Sequence, residues 1–283
     1  METLIKVLDT QMTVPSLFGW FHILSLVLTV LATVALCKTH RQGDRDQEVR
    51  VVLVTALLSI ALEIYKQFNY SFTVGEDGIV FDFLWYAFPW QFCSTPMYIA
   101  LLAGLVKKGK LHDACCAYLS TFSVFAGLCV MIYPGDVFTE TVGINIQTMI
   151  CHGSMIVLGV YLLATGHVKL EHKTILKAIP VFAVNVTIAM ILNEVAFRTG
   201  LLETDTFNMF FISPYCDPSL PVYSLVQAVV PYPISLIIYI AGFSAASWLI
   251  LMACMGISRL TRKPKAIRKV RRISVGCATA NLR

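Results

Sequence analysis

The chain has 283 residues, of which 57% are hydrophobic and only 14% charged, with a formal net charge of +5. A soluble domain carries about 25% charged residues, so the balance argues against a soluble globular protein. The apolar residues fall in runs of about 20, long enough to cross roughly 30 Å of hydrocarbon. Water is absent there, so each run must be helical.

In chain order the runs predict an all-α polytopic membrane bundle with seven transmembrane helices. The spans are Leu17–Leu36, Val51–Phe68, Phe83–Val106, Ala114–Tyr133, Ile146–Thr165, Ile175–Phe197 and Pro233–Gly256. The stretch Leu220–Gly256 is too long for one crossing, and Pro231-Tyr232-Pro233 predicts a break within it. A half-inserted Leu220–Val230 would make an eighth segment.

Loop charges set the orientation. The loops after spans one, three and five, with the segment from Arg259 onward, hold every Lys and Arg except Lys6, Lys66 and Arg198. The opposite loops are acidic: Glu76, Asp77 and Asp82, then Asp136 and Glu140, then Glu203, Asp205 and Asp217. The amino terminus is therefore expected outside and the carboxyl terminus in the cytoplasm. The division is a seven-span domain over 1–258 and a basic tail over 259–283. The positive charge is a topology signal rather than a nucleic-acid signal. The tail RLTRKPKAIRKVRR is first a positive-inside flank. It also suits contact with anionic lipid, at about 1 kcal/mol per basic residue.

The first run is longer than a signal-peptide core and its positive charges follow it, so no cleavable leader is expected. No internal repeat is visible. The nine cysteines show no CxxC pair and no metal-ligand spacing, so neither a metal nor another cofactor is predicted. Cys115, Cys116, Cys129 and Cys254 read as small apolar packers.

Polar groups inside spans are costly and mark candidate sites. Span two ends outward with Glu63 and Lys66, which are three apart and suited to an ion pair. Span three carries Trp90, Gln91, Cys93 and Ser94 in its outer half. Span five places His152 about one and a half turns in, and span six ends with Asn193 and Glu194. All lie in the outer half, and the inner halves read as almost purely apolar. Asn193 and Glu194 also suit a helix end, and Asn185 suits an interhelical hydrogen bond. A buried thiol or imidazole is commonly structural. A thiol becomes a nucleophile where a base can make thiolate, and depth alone allows Cys93 and His152 to meet. Asn69-Tyr70-Ser71 matches a glycosylation sequon, and Arg271-Arg272-Ile273-Ser274 a basic-directed phosphorylation site.

The stretches WQFCSTPMYIALLAG (90–104), CHGSMIVLG (151–159), LNEVAFRTGLLETDTFNMFFISPYCDPSL and PYPISLIIY resemble YwaF-like integral membrane proteins and the related transmembrane protein 164 family. The likeness spans roughly the second to seventh helices. It implies acyl transfer among phospholipids, with Cys93 as nucleophile and His152 as general base. Gln91, Asn193 or Asn208 would serve as oxyanion donors, and Glu194 lies nearby in the motif. Bacterial members often carry His-x-Cys where this chain has Gln91-Phe92-Cys93. The implied partners are membrane phospholipids or lysophospholipids. A transporter using Glu63, His152 and Glu194, and a seven-helix receptor for a small ligand, are the competing readings. The last span lacks a Lys, which excludes a retinal Schiff base there.

Overall fold

The computed structural model describes residues 1–39, 44–200, 206–217 and 220–261. The end of the basic tail, with the Arg271–Ser274 motif, lies outside the described residues, as do Glu203 and Asp205. A short amphipathic helix α1 (Glu2–Leu8) leads to α2 (Trp20–Thr39) and α3 (Arg45–Ser71). A hairpin of β1 (Phe72–Gly75) and β2 (Gly78–Phe81) follows, which hydropathy did not predict. Then come α4 (Thr95–Val106), α5 (Lys110–Leu119), α6 (Phe122–Ile132), α7 (Val142–Ala164), α8 (Thr174–Thr199), α9 (Pro221–Gln227) and α10 (Tyr232–Thr261).

Helix ends follow local chemistry. Asp44 caps α3 by accepting from Gln47 N at 3.1 Å. Lys107 ends α4 in the left-handed region, and Gly109, with φ of 94°, carries the turn into α5. The break lies between the end of α9 at Gln227 and the start of α10 at Tyr232, with Pro231 immediately before α10.

Among the described residues five helical stretches are long and apolar enough to cross a membrane: α2, α5 with α6, α7, α8 and α10. The other two predicted spans differ in kind. α3 runs 27 residues but is flanked by charged groups. The predicted Phe83–Val106 span is not one helix. It begins with a 3-10 turn at Trp85–Ala87 and an irregular stretch, and only Thr95–Val106 is α-helical. Pro89 and Pro96 account for this, because proline disfavours helix at the preceding residue and leaves no N–H to bond. The α5–α6 span is kinked at Ser120–Thr121.

Packing separates lipid-facing from protein-facing surfaces. Across most of α2, large apolar side chains such as Leu24, Leu28 and Leu31 are exposed, as a helix solvated by acyl chains requires. The core is aromatic: Tyr118, Phe122, Phe182, Phe210, Tyr239 and Phe243 stack between α5, α6, α8, α10 and the segment before α9.

That segment, from Phe207 to Ser213, is largely buried and holds no more than a distorted 3-10 turn at Met209–Phe211. Met209, Phe210 and Ile212 are fully enclosed, and Phe210 and Phe211 have left-handed φ. Side chains satisfy its backbone. Gln91 accepts from Phe210 N at 3.0 Å and donates to Asn208 O at 3.0 Å. Asn193 accepts from Met209 N at 2.8 Å and donates to Met209 O at 3.0 Å. Asn208 Oδ1 accepts from Ser213 N at 2.9 Å, and Tyr239 donates to Phe210 O at 3.0 Å. Irregular backbone is tolerated in such surroundings only when it is paired in this way.

Gly159 lets α7 approach the kink. A Cβ there would stand 2.6 Å from the Leu119 carbonyl oxygen and would also meet Val124. Gly159→Ala should therefore destabilise by about 1–3 kcal/mol through overpacking. Gly242→Ala, in open space on α10, should be neutral or stabilising by up to about 1 kcal/mol. Thermal unfolding in detergent separates the two, and equal melting would contradict the close α7 contact.

Candidate functional site

The polar residues expected in the outer half are supplied by α3, by the stretch before α4 and by α7. On α3, Lys66 Nζ lies 2.8 Å from Glu63 Oε1. Gln67 donates to the same carboxylate at 2.8 Å and to Ala87 O at 2.7 Å. Glu63 is buried, so these donors replace the water it gave up. Cys93 is half-buried and stands two residues before α4 begins. Cys151 and His152 come from α7.

His152 has a defined tautomer. Its Nδ1 lies 2.7 Å from the Thr148 carbonyl, which only accepts, so Nδ1 carries the proton. Nε2 is then a lone-pair acceptor, buried and without a hydrogen-bond partner. The Cys93 thiol is accordingly not hydrogen-bonded to it. Gln147 donates to the neighbouring thiol, Cys151 Sγ, at 3.4 Å.

The side chains of Gln91, Asn193 and Asn208 are engaged with the backbone of the Phe207–Ser213 segment. Glu194 is at the surface, accepting from Tyr215 Oη at 2.6 Å and paired with Arg198. Asn208 and Tyr215 also line a cleft of about 450 Å³ with Tyr86, Thr206 and Phe211, and neither Cys93 nor His152 borders it. Asn185 donates its side-chain amide to Val181 O on its own helix, while its backbone carbonyl accepts from Trp90 Nε1. The Asn69 sequon is buried at the end of α3, with Nδ2 donating to Leu8 O at 3.2 Å, so a glycan there would have to displace α1.

One expectation is corrected outright. The far end of the bundle is not purely apolar. Glu48 (α3), His112 and Cys116 (α5) and His167, after α7, form a buried cluster. Burial alone would raise the Glu48 carboxyl, but hydrogen bonds from His112 and Arg45, helped by the charges of His167 and Arg45, hold it at about 2. Cys116, expected to be an apolar packer, is part of this group. The available signal was His112-x-x-x-Cys116, an i, i+4 spacing that puts both side chains on one helix face. Glu48 escaped notice because it sits in a charged stretch that reads as loop, and helix α3 extends back over it.

The profile of the TMEM164 family matches residues 17–253, from the start of the first predicted span to near the end of the last. No curated protein and no solved structure matches the chain. The match and the apolar helices make this an integral, multi-pass membrane protein, and the chain belongs to the TMEM164 family.

Proposed function

We propose that the protein crosses the membrane seven times with its amino terminus outside, and that it transfers acyl chains among phospholipids in the outer half of the bilayer. In this reading α3 and the Phe83–Val106 segment join the five long apolar stretches as crossings. α4 alone is about 18 Å long, so the irregular stretch before it completes the depth. Loop charge supports this direction.

The observation that carries the enzymatic reading is His152. Its proton is held on Nδ1 by a backbone carbonyl, leaving a buried Nε2 lone pair with no hydrogen-bond partner among the described residues. This is the arrangement of a general base oriented by a third group. In the proposed cycle His152 Nε2 takes the Cys93 proton as Sγ attacks an ester carbonyl of a phospholipid. The ester C–O bond breaks, the lysolipid oxygen receives that proton, and Cys93 holds the acyl group as a thioester. A lysolipid hydroxyl then attacks the thioester, His152 takes its proton, and the proton returns to Sγ. Acyl-chain binding has to bring Sγ within hydrogen-bond reach of Nε2. Negative charge on the intermediate develops near the start of α4, where the helix dipole supplies roughly half a positive charge. That dipole takes the oxyanion role, because the amides of Gln91, Asn193 and Asn208 hold the Phe207–Ser213 backbone. A site on the outer side is remote from cytosolic acyl-CoA, so a phospholipid donor fits it.

A transporter of cations or protons is the second reading. It is favoured by the interrupted crossings at α4 and at α5–α6, since broken helices frame many transport sites.

In purified protein with phospholipid donor and lysophospholipid acceptor, Cys93→Ser and His152→Ala should each lower acyl transfer by about 10²-fold or more. Full turnover in both would remove the enzyme reading, and proton or cation flux lost in Glu63→Gln would put transport in its place. For orientation, an epitope before Met1 should bind antibody on intact cells and one after Arg283 only after permeabilisation. The reverse pattern would invert the topology.

A further inference from the structure

The buried cluster at the opposite end of α3 from Glu63 is not used by the proposed reaction. Glu48 and Glu63 are about 22 Å apart along the helix, so the two sites are separate. At the Glu48 end three ligand-type atoms face one another. His112 Nε2 lies 3.2 Å from Glu48 Oε1 and 3.4 Å from Cys116 Sγ, and Sγ lies 3.7 Å from Oε1. Glu48 is fully buried, and His112 and Cys116 are each 1% exposed.

From these contacts we propose that Glu48 Oε1, His112 Nε2 and Cys116 Sγ form a binding site for a zinc-class divalent transition metal that ties α3 to α5. The triangle has the dimensions of a tetrahedral face. With metal–nitrogen and metal–oxygen bonds of about 2.0–2.1 Å and metal–sulfur of about 2.3 Å, its edges would be about 3.3 Å between N and O and about 3.6 Å to sulfur. The three observed separations fall within about 0.2 Å of these values.

Hydrogen bonding points the same way. His112 Nδ1 is 2.8 Å from the Ala103 carbonyl and must donate to it. Nε2 then faces a carboxylate oxygen, which only accepts, and Arg45 Nη1 at 3.2 Å, which only donates. Without a metal, Nε2 donates to Glu48 Oε1 while Arg45 Nη1 donates to Oε2, so Nε2 and Oε1 are held facing one another beside Sγ. A cation between Nε2, Oε1 and Sγ satisfies all three lone pairs. The Nδ1–H to backbone carbonyl bond is the usual support of a metal-bound histidine.

The surroundings supply the remaining shell. Glu48 Oε2 lies 2.9 Å from Arg45 Nη1 and 3.2 Å from His167 Nδ1, so the second carboxylate oxygen is oriented by two groups. Arg45 is the exposed member, at 44%, and moving it aside opens the fourth coordination position. Binding releases the Cys116 thiol proton to solvent, because thiolate is the ligand. A cysteine, a histidine and a carboxylate suit zinc, cobalt or a similar ion rather than magnesium or calcium.

The test uses the full chain purified in detergent. Elemental analysis after expression with zinc should give about one zinc per chain, and stripping should lower the melting temperature, with zinc restoring it. Cobalt substitution should show a thiolate-to-metal charge-transfer band that Cys116→Ser abolishes. His167→Ala, which leaves the three ligands in place, should weaken metal affinity by about 10–100-fold. A wild-type protein without zinc and without the cobalt band would overturn the proposal and leave an ion-paired cluster. So would a band unchanged in Cys116→Ser. The wild-type measurements decide the matter even where a variant does not fold.

Discussion

The backbone between Phe88 and Ser94 has to be satisfied without a helix and largely without water, and much of the molecule is arranged around that need. Two prolines deny this stretch regular structure, so its polar groups find partners one at a time. The Gln91 carbonyl accepts from both Ser94 N and Thr95 N, which starts α4. The Gln91 side chain meanwhile pairs with the Phe207–Ser213 segment. Asn193 on α8 and Tyr239 on α10 close the same network from the other side. Removing one such partner leaves a buried backbone group unsatisfied, at about 1–3 kcal/mol. Two irregular segments thus hold each other in place at the centre of a helical bundle.

This arrangement also puts Cys93 where an ordinary span would not. In a continuous helix its thiol would be one more packing group. Here it stands two residues before a half-length helix. Gly127 lets α6 pack closely on α7, because a Cβ there would stand 2.7 Å from the His152 backbone carbonyl. The opposite end of the bundle has a separate buried polar group, joined by α3 and α5, whose geometry suits a metal rather than a lipid. Fold and function meet in the same elements: α3 carries Glu63 and Lys66 towards one end and Glu48 at the other.

Hydropathy and charge made the helical membrane architecture legible, with most helix positions placed within a few residues. The Pro231-Tyr232-Pro233 break was readable because proline's effect is local. The interruption of the third crossing was not read, although Pro89 and Pro96 were visible, since the apolar composition continues unbroken across it. The Phe207–Ser213 segment was hidden for a related reason. Its burial depends on partners in three other parts of the chain, Gln91, Asn193 and Tyr239, which no local pattern records. Among the polar residues, Cys93 and His152 could be singled out by depth. The commitment of Gln91, Asn193 and Asn208 to backbone pairing could not, because an amide looks the same whether it faces substrate or chain. The Glu48 cluster assembles from an acidic residue in a charged stretch and an i, i+4 pair, and only packing brings them together.

The central claim is that Cys93 carries the acyl group. Incubating the purified protein with a phospholipid bearing a labelled acyl chain, quenching in acid and mapping the peptides by mass spectrometry tests it directly. The account predicts a hydroxylamine-labile acyl adduct on the peptide containing Cys93, present in the wild type and accumulating when acceptor is withheld. An adduct confined to Cys151, or none on any cysteine while acyl transfer proceeds, would contradict it.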